Sequence, residues 1–197
     1  MTYAWGGDGR VLSGPELLLR YGVRRRLELR LGVPDLARRW AGGRWSDEVG
    51  DAYIGAKVAL ATRPEGDALG LIPGLSLPSG RTAGSSRSAD PELKVTASHP
   101  IGAEAGLSAM SYGIWASDTG QRRAVLQQTA SFDRRLLGPV DGFLEYAGTF
   151  TTATPDHVLH AGIEWAIGPG LQVDVHGGVS VGRDRAPFIA AGYSRRF

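Results

Sequence analysis

The chain has 197 residues, of which 42% are hydrophobic, and a formal net charge of +2, which fits one domain of ordinary size. No run approaches the ~18 consecutive apolar residues of a membrane-spanning helix, so a helical span is excluded. The absence of cysteine excludes disulfides, thiolate chemistry and cysteine-type zinc sites. The 29 glycines disfavour long helices and suit tight turns and curved sheets.

The basic residues are nearly all arginine, since Lys57 and Lys94 are the only lysines. Nucleic-acid binding needs basic residues clustered with exposed aromatic residues on one surface. Here the arginines are spread over predicted strands and loops, so the composition argues against a nucleic-acid partner.

The chain begins with a short alternating segment, Thr2 to Trp5, that runs directly into a glycine-rich turn. It carries no basic, apolar and small-residue sequence of the secretory type. We interpret the segment as the end of a strand, and we expect the beginning of that first strand and the signal peptide to be missing.

Segments with alternating apolar and polar residues follow along the first half of the chain. Such alternation predicts half-buried β-strands. In one of them Leu27, Leu29 and Leu31 alternate with Glu28 and Arg30. The predicted strands of this half are Leu12–Tyr21, Leu27–Leu31, Asp51–Ala61, Leu69–Leu77 and Glu92–Ser98.

The second half continues the pattern, although the segment from residue 105 is rich in Gly and Ser and its facing is ambiguous. With the N-terminal segment the count is about twelve strands, and bacterial outer-membrane barrels have even strand numbers. The predicted strands of this half are Ala105–Trp115, Arg123–Asp133, Asp141–Thr151, Val158–Ile167, Leu171–Val175 and Pro187–Phe197.

The final segment alternates across two faces and ends in an aromatic residue, Phe197. Ile189, Ala191 and Tyr193 share the apolar face. Bacterial outer-membrane barrels typically end in such a strand, which their assembly machinery reads. The last strand of a soluble β-sandwich is the alternative interpretation.

The predicted connections are sorted by length. The two longest, Val33–Gly50 and Pro78–Pro91, both follow odd-numbered strands, and most of the others are short. Short periplasmic turns and long extracellular loops are typical of outer-membrane barrels, and a sandwich has no reason to sort its loops in this way. We therefore predict an all-β fold, an antiparallel up-and-down transmembrane β-barrel of about twelve strands, with residues 1–197 as a single domain.

Charged residues of both signs lie on the polar face of the predicted strands. A Lys or Arg that faces lipid near the midplane costs about 2–4 kcal/mol, so we expect this face to line the lumen. Two interpretations stay open, a ladder of ion pairs that stiffens and partly fills the barrel, and a selective pore lined by charge. The predicted lumen-lining residues are Arg20, Glu28, Arg30, Lys57, Glu92, Lys94, Glu145 and Glu164.

The four histidines give little support to an enzyme. His157 and His160 would lie on opposite faces of one strand, and the set has no metal-ligand spacing. His176 and Ser180 share a face, as many pairs in a strand do, and a hydrolase site also needs an orienting residue. We therefore expect no catalytic residue, no metal and no cofactor.

Aromatic residues and outer arginines suggest contacts with the membrane. Aromatic residues near strand ends are typical of the girdles at the two membrane interfaces. Arg38, Arg39 and Arg44 on the predicted outer loop could bind lipopolysaccharide phosphates, since arginine suits phosphate, although a solvated loop is the alternative. The aromatic residues with this placement are Tyr21, Trp115, Tyr146, Phe150, Trp165, Tyr193 and Phe197.

Several stretches together resemble one family. Residues 16–23 (ELLLRYGV) and 26–32 (RLELRLG) resemble a strand-turn-strand hallmark of the transporter-like outer-membrane family named for the meta-pathway of phenol degradation. Residues 75–80 (LSLPSG) resemble its L-x-L-P-T-G loop entry, and Phe143–Tyr146 and Leu171–Asp174 match similar positions. The resemblance covers most of the chain from Gly14 onward.

This resemblance implies a barrel in the outer membrane of a Gram-negative bacterium that passively transports or binds small, often aromatic, solutes. The implied partners are a small-molecule solute, outer-membrane lipid and lipopolysaccharide, and the barrel assembly machinery through Phe197. Family members carry a signal peptide and a complete first strand, which we expect to be missing from this sequence, and Arg195 stands where an apolar or aromatic residue is usual. A plugged structural or adhesive barrel that acts through its extracellular loops is the alternative function.

Overall fold

The computed structural model describes residues 1–6, 9–81, 84–118, 121–151, 155–181 and 186–197. The described part of the chain contains no helix long and apolar enough to cross a membrane. The strands are β1 (Thr2–Gly6), β2 (Gly9–Ser13), β3 (Leu17–Arg24), β4 (Leu27–Val33), β5 (Leu36–Ala41), β6 (Arg44–Val49), β7 (Ala52–Thr62), β8 (Ala68–Leu77), β9 (Asp90–Ile101), β10 (Ala105–Asp118), β11 (Gln121–Leu137), β12 (Val140–Phe150), β13 (Asp156–Gly168), β14 (Leu171–Ser180) and β15 (Pro187–Arg195).

Three pairs of consecutive strands are halves of longer strands. Residues 14–16 separate β2 from β3, residues 34–35 separate β4 from β5, and residues 50–51 separate β6 from β7. Two of these interruptions contain a proline, which cannot donate a backbone hydrogen bond to a ladder. When each pair counts as one strand, the fifteen segments reduce to twelve, the number that the sequence predicts.

All the strand pairs are antiparallel, in the order β3-β4-β7-β8-β9-β10-β11-β12-β13-β14-β15-β1-β2-β5-β6. The ladders alone do not close a ring, because this order begins at β3 and ends at β6. The chain itself joins the two ends, since β3 continues β2 and β7 continues β6. The strands therefore form one circuit, whereas the second edges of β3 and β6 have no ladder partner among the described residues, apart from the isolated Val49–Arg81 bridge.

The ladder registers show the stagger of a tilted barrel wall. From Ala4, the partners run through β2 and β5 to Ser46 on β6. In the other direction they run through β15 and the strands beyond it to Thr62 at the end of β7. Ser46 and Thr62 belong to the same long strand, β6 continued by β7. A path that follows paired residues once around the wall therefore reaches this strand at two different residues, and the distance between them along the strand is the shear of a barrel.

The burial of apolar residues is the reverse of that in a soluble protein. Apart from glycines, the only buried residues in the described part are Ile72, Asp90 and Ala190. Large apolar side chains such as Leu29 and Ile163 are about half exposed on the outer face. A soluble sandwich would bury these side chains between two sheets, so the antiparallel up-and-down membrane barrel is the fold that fits.

The prediction of a long loop over Val33–Gly50 is wrong. Most of this segment forms the hairpin β5–β6, which pairs with β2 from Arg10–Trp40 to Ser13–Ala37. Its alternation is hidden in the sequence because charged residues occupy both faces of the hairpin. The other predicted loop is a long connection, since β8 ends at Leu77 and β9 begins at Asp90.

A charge on the outer face of the barrel should destabilise it. Val95 lies on the outer face near the middle of β9, and Val95→Lys should cost about 2–4 kcal/mol of unfolding free energy in lipid vesicles. Urea titration of the refolded barrel measures this difference. Gln127→Lys on the inner face of β11 is the matched control, and an equal loss in both variants would contradict the assignment of faces.

Candidate lumen site

The registers place all eight predicted lumen residues on the inner face of the wall. Arg20 stands opposite Arg30, Glu28 stands opposite Lys57, and Glu145 stands opposite His160. The residues next to them in sequence carry the exposed apolar side chains of the outer face. That the eight residues line a transport path stays a prediction.

Glu28 joins two arginines from neighbouring strands. Arg20 donates from Nε and Nη2 to the two carboxylate oxygens of Glu28, at 3.1 and 3.0 Å. Arg30 donates from Nε to Glu28 Oε1 at 2.8 Å. The paired fork of Arg20 matches the geometry in which guanidinium and carboxylate groups bind most strongly. One carboxylate therefore serves two cations, which leaves this part of the wall with a net positive charge.

A second cluster, the Lys94 cluster, contains Tyr53, Glu92, Lys94 and Tyr112. Lys94 Nζ lies 2.9 Å from Glu92 Oε1 and over the rings of Tyr53 and Tyr112, at 5.0 and 4.5 Å from their centroids. The Tyr112 hydroxyl donates to Glu92 Oε2 at 2.6 Å. The Glu92 side chain is 5% exposed. Two cation–π contacts and one ion pair hold the ammonium in place.

Glycines beneath the Tyr53 ring give the Lys94 cluster its space. Gly55 and Gly74 pair with each other across β7 and β8. A Cβ atom at Gly55 would overlap the Tyr53 hydroxyl, and one at Gly74 would overlap the ring. Because both positions lack a side chain, the ring can lie against the wall and reach Lys94 on β9.

The inner face of β12–β14 is mainly acidic. Glu164 stands directly opposite Asp141 on one side and Asp174 on the other. Of these three carboxylates, Asp141 is paired with an arginine, Arg135, at 2.5 Å. The eight predicted residues therefore do not meet in one site, because the basic ones lie on β3–β9 while Glu145 and Glu164 lie on β12 and β13.

Sequence reasoning missed the contribution of Tyr112. The facing of its strand is ambiguous in sequence because small residues occupy both faces of β10. The large apolar residues of β10 could have shown its facing. Leu107 and Trp115 both stand at odd-numbered positions and are exposed on the outer face, so even-numbered positions face inward. This parity assigns Tyr112 to the inner face, where the register places it opposite Lys94.

Asp51 holds the long connection between β8 and β9 in place through hydrogen bonds. Its Oδ1 accepts the Gly80 N–H at 2.9 Å, and its Oδ2 accepts the Ser86 N–H at 2.9 Å and the Ser86 hydroxyl at 3.1 Å. Asp51 lies beyond Ala52–Leu77, the last pair of the β7–β8 ladder, at the end of the wall where the β8–β9 connection begins. Burial acts to raise the pKa of this carboxyl, but the hydrogen bonds outweigh burial and hold the pKa below its usual value.

The Glu92–Tyr112 hydrogen bond should be a strong energetic contact. In a double-mutant cycle of Glu92→Gln and Tyr112→Phe, we expect a coupling energy of about 1.5–3 kcal/mol, because a hydroxyl donates to a charged acceptor at a nearly buried position. Urea unfolding in vesicles measures the four free energies. A coupling energy near zero would show that the contact does not stabilise the barrel.

The Asp51 contacts should weaken in acid. Because the pKa is lowered in the folded protein, the stabilisation is present above the ordinary pKa of a carboxyl and is lost as the pH falls through the lowered value. Amide exchange by NMR at Gly80 and Ser86 should show this loss of protection. Asp51→Asn should be less protected at neutral pH and insensitive to acid, and wild-type protection in this variant would contradict the role of the carboxylate.

Comparison with known proteins places this architecture among outer-membrane channels. No curated protein matches the chain. An outer-membrane channel from Pseudomonas putida F1 superposes with a TM-score of 0.69 and 13% identity over 100% of this chain and 93% of that one. The KdgM porin in complex with disordered oligogalacturonate superposes with a TM-score of 0.64 and 14% identity, over 100% of this chain and 96% of that one. The CymD monoaromatic hydrocarbon channel superposes with a TM-score of 0.56 and 12% identity, over 100% of this chain and 77% of that one.

At these identities the structural likeness shows the fold alone, and the sequence itself shows the family. The family model that matches, over residues 2–197, is described as "Putative MetA-pathway of phenol degradation". The match covers nearly the whole chain and agrees with the motifs at residues 16–32 and 75–80. The chain belongs to this phenol-degradation family of outer-membrane barrels.

Proposed function

We propose that the chain is a single-domain barrel over residues 1–197 that passively transports or binds small solutes in the outer membrane of a Gram-negative bacterium. The observation that carries the proposal is the division of the wall into an apolar outer face and a charged inner face. Lipid-facing and lumen-facing residues alternate in this way in transmembrane barrels. The family and the outer-membrane channels of the same fold support it.

Aromatic compounds are one candidate class of solute. The family description refers to phenol degradation, and one protein of the same fold is described as a monoaromatic hydrocarbon channel. Passive transport needs neither a catalytic residue nor a cofactor nor an energy source. The proposed protein is therefore a channel and not an enzyme.

The proposed lining of the path consists of charges that largely pair along the wall. Glu28 and Glu92 neutralise part of the positive charge of their neighbours, and Glu145 accepts a hydrogen bond from a neighbouring imidazole or pairs with it. Charged groups of both signs on the inner face make the lumen a better environment for hydrated solutes than for lipid. The residues in this proposed role are Arg20, Glu28, Arg30, Lys57, Glu92, Lys94, Glu145 and Glu164.

The proposed surroundings of the barrel are lipid and lipopolysaccharide. The exposed aromatic residues of the outer face, such as Trp115 and Trp165, suit the membrane interfaces. Phe197 is fully exposed, which suits its proposed recognition by the barrel assembly machinery. The β5–β6 hairpin carries an Arg38–Asp47 ion pair on its outer face. The carboxylate neutralises part of the Arg38 charge, which weakens the attraction of Arg38 to lipopolysaccharide phosphates.

A plugged barrel that acts through its extracellular loops is the second candidate. Two observations favour it, the mutual pairing of the inner charges and the Asp51 contacts that hold the β8–β9 connection. In that case a substitution at Glu28 would leave the biological activity unchanged, whereas deletion of residues 78–89 would abolish it.

Conductance in a planar bilayer tests the proposal. The refolded protein should give discrete current steps, and Glu28→Gln should shift the reversal potential in a salt gradient toward anion preference, because Arg20 and Arg30 lose their shared carboxylate. Glu65→Gln, in the exposed turn between β7 and β8, is the matched control and should leave the reversal potential unchanged. Silence from protein shown to be folded would contradict transport and favour the plugged barrel.

A further inference from the structure

Four rings meet on the inner face of β12–β15, away from the Lys94 cluster. We call this group, formed by Phe143, His160, His176 and Phe188, the aromatic platform. The ring centroids of His160 and His176 lie 5.6 Å apart, and Phe143 lies 5.7 and 6.0 Å from these two rings. Phe188 lies 6.0 and 6.1 Å from the same two imidazoles. These distances are those of aromatic rings in contact.

Two glycines of the wall make this meeting possible. Gly162 and Gly178 occupy inner positions between the ring-bearing residues of the neighbouring strands. A Cβ atom at Gly162 would come within 2.5 Å of His176 Cβ and 2.7 Å of the Phe143 ring. A Cβ atom at Gly178 would overlap His160. The four rings therefore spread over bare backbone, and each keeps part of its surface toward the lumen.

Two carboxylates fix the imidazoles and set the charge of the surface. His160 Nε2 lies 2.9 Å from Glu145 Oε1, and His176 Nδ1 lies 3.2 Å from Asp174 Oδ1. The neighbouring Glu164 adds a third carboxylate to the same stretch of wall. An aromatic surface bordered by carboxylates attracts cations, through the ring faces and through the charges, and repels anions.

We propose that the aromatic platform is a binding subsite for the ring of a small aromatic cation, such as an aryl-alkyl ammonium ion. The ring of such a solute would stack on the platform while its ammonium group lies near Glu145 or Asp174. This inference deepens the proposed function, because it names a solute class for the same lumen. The binding step itself does not depend on passage of the solute through the barrel.

Ligand-observed NMR on the full chain, refolded in detergent, tests the proposal with benzylamine as the probe. Saturation transfer from the protein should be strong for benzylamine and weak for two comparison compounds. Cyclohexylmethylamine has the charge without the aromatic ring, and benzoate has the ring with the opposite charge. Equal transfer to cyclohexylmethylamine would overturn the stacking role, and equal transfer to benzoate would overturn the charge preference.

The paired substitution Phe143→Leu with Phe188→Leu keeps apolar bulk but removes two rings of the platform. We expect it to weaken benzylamine binding by about tenfold. Phe132→Leu is the matched control, because Phe132 lies on the lipid face of β11 and its loss should leave binding unchanged. Unaltered binding in a folded double variant would overturn the proposal.

The outcomes for the platform and for transport are separable. A barrel that binds benzylamine but passes no current would contradict passive transport and support the platform. A barrel that conducts ions but shows no preference for benzylamine would support transport and overturn the platform.

Discussion

The structure depends on one constraint, the need of every backbone N–H and C=O group at membrane depth for a hydrogen-bond partner within the protein. The twelve-strand wall meets this constraint by pairing each strand with two neighbours, and the stagger from Ser46 to Thr62 is the tilt that such a wall requires. Side chains then have only two directions, toward lipid or toward the lumen. The second edges of β3 and β6 are where the described ladders leave the constraint unmet, apart from the isolated Val49–Arg81 bridge.

The two-direction rule also explains the composition of the inner face. A charge that points inward avoids lipid but lies close to charges on adjacent strands, because cross-strand neighbours are about 4.5–5.5 Å apart. Glu28 and Glu92 consequently bind cations on their own and neighbouring strands. Glycines at inner positions, such as Gly74 and Gly162, then give aromatic rings the room to lie along the wall. Pairing and glycine placement together shape the lumen.

The sequence predicts the parts of this protein that follow from local alternation. The alternating segments give the strands and their number. Within a strand, odd and even positions lie on opposite faces, which gives the inward direction of Glu28 and Lys94. The sequence does not predict which inner residues meet, because this depends on register and shear summed around the wall. The hairpin β5–β6 was missed since charges on both faces conceal its parity, and Tyr112 was missed since small residues conceal that of β10.

The three interruptions at residues 14–16, 34–35 and 50–51 lie side by side on adjacent strands, because Gly14 donates to Leu36 and Gly50 donates to Asp35 across them. Together they form a crease that crosses three strands at one level. Regular pairing stops on one side of the crease and restarts on the other in the same register. Ser13–Ala37 and Leu17–Val33 follow one count of residues between the first two strands, and Leu36–Val49 and Gly32–Tyr53 follow one count between the next two. The crease is therefore a line across the wall at which ladder hydrogen bonds are lost while the register is kept, so the strands of the two zones cannot slide past their neighbours independently.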